Sequence, residues 1–354
     1  MILIYRYRVK TLLGALNKQA RAVNYVFNFC NERQKDALRF GRKWHSGFDL
    51  IKLTTGSSKE LGLHSDTLSA VCSQYAKSRH QFKRPYLRWR TKKSTGWIPL
   101  AGRSIKETKN GFHFHGKEYK VFKHRDLPEG AKIKDGSNFS CDRRGNWFVN
   151  VCIEIPDVAT RAPIRGVGVD LGLKSFAVLS NSETIDAQRL YRNAEAALAT
   201  AQRANKTKRV KAIHAKIGNK RADFQHKLSS RLVKEFDYIA VGNVNAAGLA
   251  KTKMAKSVLD AGWSSFRMKL AYKAVKHGAM CQEVNESFTS QVCSDCGTLP
   301  DSRPKGIADL GVRSWVCCDC GSVHDRDVNA AKNILNKFRF PVERDRPVEG
   351  SLAL

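Results

Sequence analysis

The amino-acid sequence predicts two domains of different fold class, an all-β domain with a helical insertion followed by an α/β domain. Hairpin signals separate short strand patterns up to residue 156, and strand and helix patterns alternate from residue 164 onward. Paired cysteines late in the chain indicate a small metal-binding module inside the second domain. A length of 354 residues suits two or three domains, because roughly 150 residues per domain is the usual expectation.

The net charge of the chain constrains its partners. Lys and Arg number 63 against 32 Asp and Glu, so the formal net charge is +31. Positive charges in such excess repel one another unless a polyanion neutralises them, and nucleic acid is the commonest polyanion in a cell. A solvated basic surface or an anionic lipid surface is the alternative. The sequence lacks both a lipidation motif and a basic amphipathic helix with a bulky apolar face, which favours nucleic acid.

The hydropathy of the chain argues against a membrane protein. No apolar run approaches the roughly 18 to 20 residues that a membrane-spanning helix needs. The apolar N-terminal stretch is interrupted by Arg6, Arg8 and Lys10, unlike a secretory signal. We therefore expect no membrane partner and a cytoplasmic, nucleoid-associated location in a prokaryote.

Residues 1–10 and 94–156 form the predicted β domain, a small wedge-like barrel. The first ten residues alternate as a strand, and residues 147–155 form a long apolar strand pattern. Three turn dipeptides between residues 94 and 156 are hairpin signals: Asn110-Gly111, Asp135-Gly136 and Gly145-Asn146.

Residues 11–93 predict a helical domain inserted into the barrel. Apolar residues step by four, three, four and three from Leu16 to Cys30, and a second helix begins near Ser65. The segment Lys83–Lys93 mixes cations with Tyr86 and Trp89, so cations there could bind phosphates while the rings stack on bases. An exposed basic turn with both rings packed inward is equally compatible. The candidate cations are Arg84, Arg88 and Arg90.

The second half predicts an α/β domain made of residues 164–287 and 322–340. Buried strand patterns occupy residues 164–170, 237–241 and 280–285, with a hairpin partner at 176–180. Residues 189–234 predict one or two helices with an apolar stripe and a basic outer face. That face adds candidate nucleic-acid-binding residues: Lys206, Lys208, Arg209, Lys220 and Arg221. Residues 341–354 predict a flexible tail.

Four of the ten cysteines have the spacing of a zinc ribbon. Two Cys-x-x-Cys pairs lie twenty residues apart, and a glycine follows each pair directly. Two such knuckles complete a tetrahedral site and leave no position open for catalysis, so the predicted zinc is structural. Residues 288–321 form this ribbon. Its zinc ligands are Cys293, Cys296, Cys317 and Cys320; the adjacent Cys318 fits the knuckle less well.

Asp170 ends a run of Val167, Gly168 and Val169 in what should be a central strand. Burial of a carboxylate there is costly without a cation or another partner. The order of elements from residue 164 resembles an RNase H-like fold, in which acidic side chains gather at one end of the sheet. In that arrangement Gly242 and Glu286 end the neighbouring strands, and Asp327 near the last helix is a further carboxylate.

Three stretches of the second half resemble the TnpB family, proteins of insertion sequences long labelled transposases. The first half matches that family only in its layout of a barrel with a helical insertion. The three stretches are Gly168-Val169-Asp170-Leu171-Gly172; Phe288-Thr289-Ser290-Gln291-x-Cys293-x-x-Cys296-Gly297; and Cys317-x-x-Cys320-Gly321 followed by Asp325-Arg326-Asp327-Val328-Asn329-Ala330-Ala331.

The resemblance implies a RuvC-like endonuclease that a guide RNA directs to a double-stranded DNA target. It implies phosphodiester hydrolysis with two Mg²⁺ ions about 4 Å apart, which an Asp, Glu, Asp set holds. In this sequence that set is Asp170, Glu286 and Asp327. Base pairing with the RNA selects the target, while the protein holds the backbone of the heteroduplex.

The sequence departs from the family at Gly242, where most members carry the catalytic glutamate. Either the nuclease is inactive or Glu286 replaces that glutamate from the adjacent strand, with Glu283 or Asp325 as another donor. Three further alternatives stay open. Asp327 could cap the last helix, Glu286 could be a surface residue, and Asp170 could be merely structural. An inactive nuclease would be an RNA-guided DNA-binding protein or repressor; a strand-transfer transposase is less favoured, since no nucleophilic Tyr or Ser stands out.

Overall fold

The computed structural model describes residues 1–91, 94–305, 309 and 311–340. It divides the chain into two compact units, Met1–Asp157 and Val158–Leu354. The tail expected at residues 341–354 lies outside the described residues. Within the part of the chain that is described, no helix is both long and apolar enough to cross a membrane.

The first unit consists of eight strands and four α-helices in its described residues, and all four helices fall between the first two strands. In chain order they are β1 (Ile2–Arg8), α1 (Leu13–Arg39), α2 (Gly47–Thr54), α3 (Ser58–Leu61), α4 (Ser65–Gln81), β2 (Trp97–Pro99), β3 (Ile105–Thr108), β4 (Gly111–Phe114), β5 (Lys117–Lys120), β6 (Lys132–Ile133), β7 (Asn138–Cys141) and β8 (Trp147–Glu154).

Two antiparallel sheets share the aromatic core of this unit. One sheet has the order β1-β8-β7-β2 with β6 beside β8, and the other has the order β3-β4-β5. Tyr7 of β1 lies 5.5 Å from the ring of Phe112, and Phe139 lies 4.8 Å from Tyr119, measured between ring centroids. The expected closure into a barrel stays a prediction.

The second unit alternates strands and helices. In chain order its described elements are β9 (Gly166–Leu171), β10 (Ser175–Leu179), β11 (Thr184–Asp186), α5 (Leu190–Arg203), α6 (Thr207–Glu235), β12 (Tyr238–Gly242), α7 (Ala246–Leu249), α8 (Ala255–Ala261), α9 (Trp263–His277), β13 (Met280–Val284), β14 (Ser314–Val316), β15 (Val323–Asp325) and α10 (Arg326–Asn336).

A five-stranded mixed sheet with the order β11-β10-β9-β12-β13 forms the centre of the second unit. β9 and β10 form an antiparallel pair, whereas β12 is parallel to both β9 and β13. The apolar side chains of β9 and β12 are buried, and α6 and α9 contribute to the same core. Because β9, β12 and β13 run in the same direction, their carboxyl ends meet at one edge of the sheet.

Helix α10 packs against β9 at Gly168, which has no side chain to hold the helix away. A Cβ atom at position 168 would lie 2.9 Å from the backbone nitrogen of Leu335 and 3.0 Å from the carbonyl carbon of Ala331, and closer still to the Ala331 oxygen. These are backbone atoms of a helix, so they cannot move aside as a flexible side chain would. This contact sets the position of α10, and therefore of the acidic residues at its start.

We expect Gly168→Ala to lower the free energy of unfolding by about 2 to 4 kcal/mol, because the added methyl group overpacks the contact between strand and helix. Gly218→Ala is the control, since Gly218 lies inside α6 and a Cβ atom added there would have no neighbour within 4 Å. That substitution should raise stability by up to about 1 kcal/mol. Urea denaturation measures both, and equal midpoints for the two variants would contradict the close packing.

Candidate functional site

Asp170 lies near the carboxyl end of β9, one residue beyond the last pair of the β9–β12 ladder, Val169 and Val241. Its side chain is half-buried and forms no hydrogen bond with any described residue. Burial, together with the negative charges of Glu286 and Asp327 and against the opposing charge of Arg326, raises the pKa of Asp170 to about 7. The positive charge of Arg326 therefore does not offset the burial and the two negative neighbours of this carboxyl group.

Glu286 fills the space beside Gly242. The residue follows β13, two positions after Val284, which pairs with Gly242 in the parallel ladder. A Cβ atom at position 242 would lie 2.6 Å from both Cγ and Cδ of Glu286, and closer to its Oε1. Oε1 is buried without a hydrogen-bond partner, and burial raises the pKa of the carboxyl group. Glu286 is therefore turned into the sheet edge and is not a surface residue.

Asp327 belongs to the first turn of α10 and is not its cap. The side chain of Asp325 accepts hydrogen bonds from the backbone nitrogens of Asp327 and Val328, at 3.0 and 2.9 Å, and so caps the helix. The alternative of a capping Asp327 is thus wrong. Its carboxylate instead accepts from Nη1 of Arg313, at 3.2 Å to Oδ1 and 3.0 Å to Oδ2.

The other two acidic candidates already have partners. Asp325 is the helix cap, and Glu283 forms a 3.1 Å ion pair with Nε of Arg267. Arg267 also donates from Nη1 to the carbonyl oxygens of Gly242 and Val244, at 3.4 and 3.2 Å. It thereby fixes the backbone beside the Glu286 carboxylate.

The three carboxylates interact electrostatically without forming a compact cage. Among the described residues, the four ribbon cysteines are the one set of three or more acidic, histidine or cysteine side chains whose ligand atoms all lie within 4.8 Å of each other. The negative charges of Glu286 and Asp327 both contribute to the raised pKa of Asp170, so a cation bound beside Asp170 would offset a local excess of negative charge.

The cysteine cluster fits a tetrahedral zinc ion. The sulfur atoms of Cys293 and Cys320 are 3.6 Å apart, and those of Cys296 and Cys317 are 3.8 Å apart. A Zn–S bond of about 2.3 Å gives a tetrahedral edge of about 3.8 Å. The hydroxyl and backbone of Thr298 lower the pKa of Cys296 to about 6, so this sulfur is ready to bind as a thiolate.

Two features of the ribbon were not found by sequence reasoning. His324 is buried, and its Nε2 lies 3.0 Å from the sulfur of Cys293. Asn329 and Asn333 are also buried, one helical turn apart on α10, and both donate to the carbonyl oxygens of Thr289 and Val292. These asparagines tie the ribbon to the helix that carries Asp327. In the sequence, the spacing of four residues between Asn329 and Asn333 was the signal that could have predicted that they share a helix face.

The basic candidates separate into exposed and engaged residues. Arg90 places its guanidinium 3.8 Å from the centroid of Phe27, and Arg221 forms a 2.8 Å ion pair with the buried Asp260. Both have internal roles. The six others are exposed: Arg84, Arg88, Lys206, Lys208, Arg209 and Lys220.

Comparison with known families confirms the resemblance of the second half to TnpB. Residues 150–253 match a family described as "Probable transposase", and residues 263–334 match the "Cas12f1-like, TNB domain". A "Putative RNA-guided DNA endonuclease" of Streptomyces pristinaespiralis is 40% identical over 60% of this chain and 54% of its own length. "TnpB-like protein L79" of Acanthamoeba polyphaga mimivirus is 31% identical over 34% of this chain and 24% of its own.

The matched regions cover part of each relative. The chain spans about half the length of the Streptomyces protein. A solved structure titled "Cryo-EM structure of the Cas12f1-sgRNA-target DNA complex" aligns with 95% of this chain and 99% of its own, at 14% identity and a TM-score of 0.39.

We expect Asp170→Asn to stabilise the metal-free protein in a pH-dependent way. The pKa of Asp170 is raised to about 7 from 3.8, so its ionisation opposes folding progressively between those values and fully above pH 7. The gain should be absent near pH 3.5, grow toward pH 7 and then level off, reaching about 1 to 3 kcal/mol. Thermal unfolding in EDTA across this range measures it. A gain that does not change with pH would contradict the raised pKa.

We expect Cys320→Ser to lose most of the bound zinc, because three thiolates leave the tetrahedral site incomplete. Cys318→Ser is the matched control, since Cys318 is also exposed and lies two residues away outside the cluster. Elemental analysis of the purified proteins should find one zinc per chain in the wild type and in Cys318→Ser. Equal zinc content in both variants would exclude the four-cysteine site.

Proposed function

We propose that this chain, whose second half is related to TnpB, is an RNA-guided endonuclease that hydrolyses phosphodiester bonds of double-stranded DNA. Its partners are a guide RNA and the DNA target. The nuclease domain has an RNase H-like (RuvC-like) fold made of residues 164–287 and 322–340, with the zinc ribbon 288–321 inserted. The strand order β11-β10-β9-β12-β13, antiparallel on one side of β9 and parallel on the other, supports this fold.

One observation carries the proposal of an active nuclease: the carboxylate of Glu286 fills the space that a side chain at position 242 would take. A glutamate missing from the end of β12 is thereby replaced from the end of the adjacent β13. An inactive descendant would have no reason to keep a carboxylate whose Oε1 is buried without a hydrogen-bond partner, because burial of an unpaired polar atom destabilises the fold.

Asp170, Glu286 and Asp327 are the residues that would hold Mg²⁺. Oxygen ligands suit this hard cation, and the raised pKa values of Asp170 and Glu286 mark the shortage of positive charge that a divalent ion supplies. When bound, Mg²⁺ activates water and stabilises the charge that develops on the phosphate and the leaving oxygen. Only the ionised carboxylates bind it, so Asp170 must lose its proton first.

Other side chains of the unit set the position of these three. Arg267 binds the backbone oxygens of Gly242 and Val244, and Gly168 admits α10 close to β9. Arg313 holds both oxygens of Asp327, so it must turn away, toward solvent or a phosphate, when Asp327 takes part in a metal site. The zinc ribbon positions Arg313 and takes no part in the reaction.

Sequence selection would come from base pairing between the guide and the target strand, with the protein contacting mainly the backbone. The net charge of +31 and the exposed cations of α6 support this division of tasks. An RNA-guided DNA-binding protein without nuclease activity would need the same charge. The two functions therefore differ only in what the carboxylates do.

We expect Glu286→Ala to reduce cleavage of a guide-matched DNA by at least about 100-fold, because one of three metal ligands is lost. Glu283→Ala is the matched control: it removes a carboxylate of the same strand that is already paired with Arg267. Cleavage by the purified ribonucleoprotein in Mg²⁺ measures both variants. Unchanged cleavage by Glu286→Ala would contradict the assignment.

The double variant Gly242→Glu, Glu286→Ala tests the shared space directly. With the Glu286 carboxylate removed, a glutamate at position 242 no longer clashes and should restore part of the activity. Gly242→Glu alone should unfold more easily than the double variant, because two side chains then compete for one space. No cleavage by any variant or by the wild type, with intact binding of RNA and DNA, would favour the inactive binding protein.

A further inference from the structure

An extended segment after α4, residues 83–91, is fixed along α1 in the first unit; we call it the strap. Asn31 accepts from the backbone nitrogen of Leu87 and donates to its carbonyl oxygen, both at 2.8 Å. Asn28 makes the same reciprocal pair with the backbone of Arg90, at 2.8 and 2.9 Å. Two asparagines of a helix thus hold the strap as a neighbouring β-strand would.

The anchoring of the strap is stronger than a surface loop requires. Asn31 is fully buried, and its side-chain oxygen also accepts from the hydroxyl of Tyr75 at 2.8 Å. Arg90 turns inward, with its guanidinium over Phe27 and a 3.3 Å hydrogen bond to Asn24. Three of the four asparagines of α1, at positions 24, 28 and 31, share one helix face because they are spaced by four and three residues.

The outward side of the strap is aromatic and basic. The Tyr86 and Trp89 side chains are 47% and 42% exposed, so the rings are not packed inward. Arg84 and Arg88 are exposed and, within the described residues, take part in no ion pair. Ordering an extended backbone costs conformational entropy. Here that cost is met in folding, although both rings stay well exposed to solvent.

We propose that the strap is a preformed stacking surface for unpaired nucleotides, with bases on Tyr86 and Trp89 and phosphates at Arg84 and Arg88. This inference rests on the proposed function, which requires RNA and opened DNA. Stacking suits unpaired bases because their faces are free, and it tolerates any sequence. A protein partner is less well matched, since Arg84 and Arg88 are exposed cations without an ion pair among the described residues, which complement a phosphate backbone.

The alternation along the strap supports this division of roles. Positions 84–86, 88 and 89 are exposed, whereas 87 and 90 provide the backbone bonds to α1. The two exposed cations and the two exposed rings therefore lie on a backbone that α1 holds in place. A surface with its geometry fixed in advance loses less entropy on binding than a mobile basic loop does.

Fluorescence anisotropy with labelled twelve-nucleotide oligo-dT and oligo-rU, at several salt concentrations, tests the proposal on the full-length protein. Trp89→Ala and Tyr86→Ala should each weaken binding by about 5- to 150-fold without changing the salt slope. Arg88→Ala should instead lower the slope of log K against log salt by about one. Trp89→Phe keeps an aromatic face and should retain most of the affinity.

Phe48→Ala is the control, because Phe48 is 80% exposed in α2 of the same unit and lies outside the strap. The Phe48→Ala variant should bind both oligonucleotides with the affinity of the wild type. If Trp89→Ala binds both oligonucleotides as Phe48→Ala does, the strap does not stack on bases and its rings serve a protein contact. Comparison of the two oligonucleotides shows whether RNA or DNA is the preferred source of the nucleotides.

Asn31→Ala gives a second measurement that keeps the exposed side chains intact. Release of the strap from α1 should weaken oligonucleotide binding and expose the segment to limited proteolysis, while Trp89→Ala remains resistant. These experiments measure oligonucleotide binding and proteolysis and not DNA cleavage. They therefore test the strap even if the nuclease is inactive. A chain that binds neither oligonucleotide nor guide RNA would instead contradict the proposed function as a whole.

Discussion

The burial of like charges at one edge of the central sheet is the constraint on which the second unit depends. Asp170 follows three buried residues of β9, and its nearest ionisable neighbours include Glu286 and Asp327. Such an arrangement costs free energy in an apolar sheet unless a cation offsets it. The fold tolerates this cost at a single place, where three separate chain segments converge. Residues held together against their own repulsion are more readily explained by ligand binding than by stability.

Two glycines make this convergence possible, and each does so by leaving out a side chain. Gly168 lets the backbone of α10 approach β9, and Gly242 leaves room for Glu286. A carboxylate can therefore reach the site from the end of β12 or from beyond β13, but the two cannot share the space. Under the proposed function, Glu286 and the glutamate that the TnpB resemblance places at the end of the middle strand would be alternative solutions to one geometric requirement. Loss at one position and gain at the other would then be physically coupled, because the two side chains compete for the same space.

Periodicity predicted the strands and long helices well, because β9, β12 and α9 follow local hydrophobic patterns. The acidic cluster could also be predicted, because parallel strands bring their carboxyl ends to one edge of the sheet. Contacts between residues distant in sequence could not be predicted. The pairing of Arg313 with Asp327 and of Asn31 with Leu87 depends on tertiary packing that no local pattern encodes. The sequence left open whether Asp327 caps α10, because Asp325 and Asp327 both suit the start of a helix and only backbone geometry separates them.

The zinc ribbon lies in sequence between Glu286 and Asp327, so its folding affects how those carboxylates meet. His324 contacts Cys293, and the next residue, Asp325, caps α10 two positions before Asp327. Asn329 fixes the other side of the junction by accepting from the backbone nitrogen of Ser294 at 2.9 Å. If the proposed function holds, soft thiolates at one end and hard carboxylates at the other would keep zinc and magnesium apart by ligand chemistry. A structural zinc ion would then help to set the position of Asp327 without competing for it.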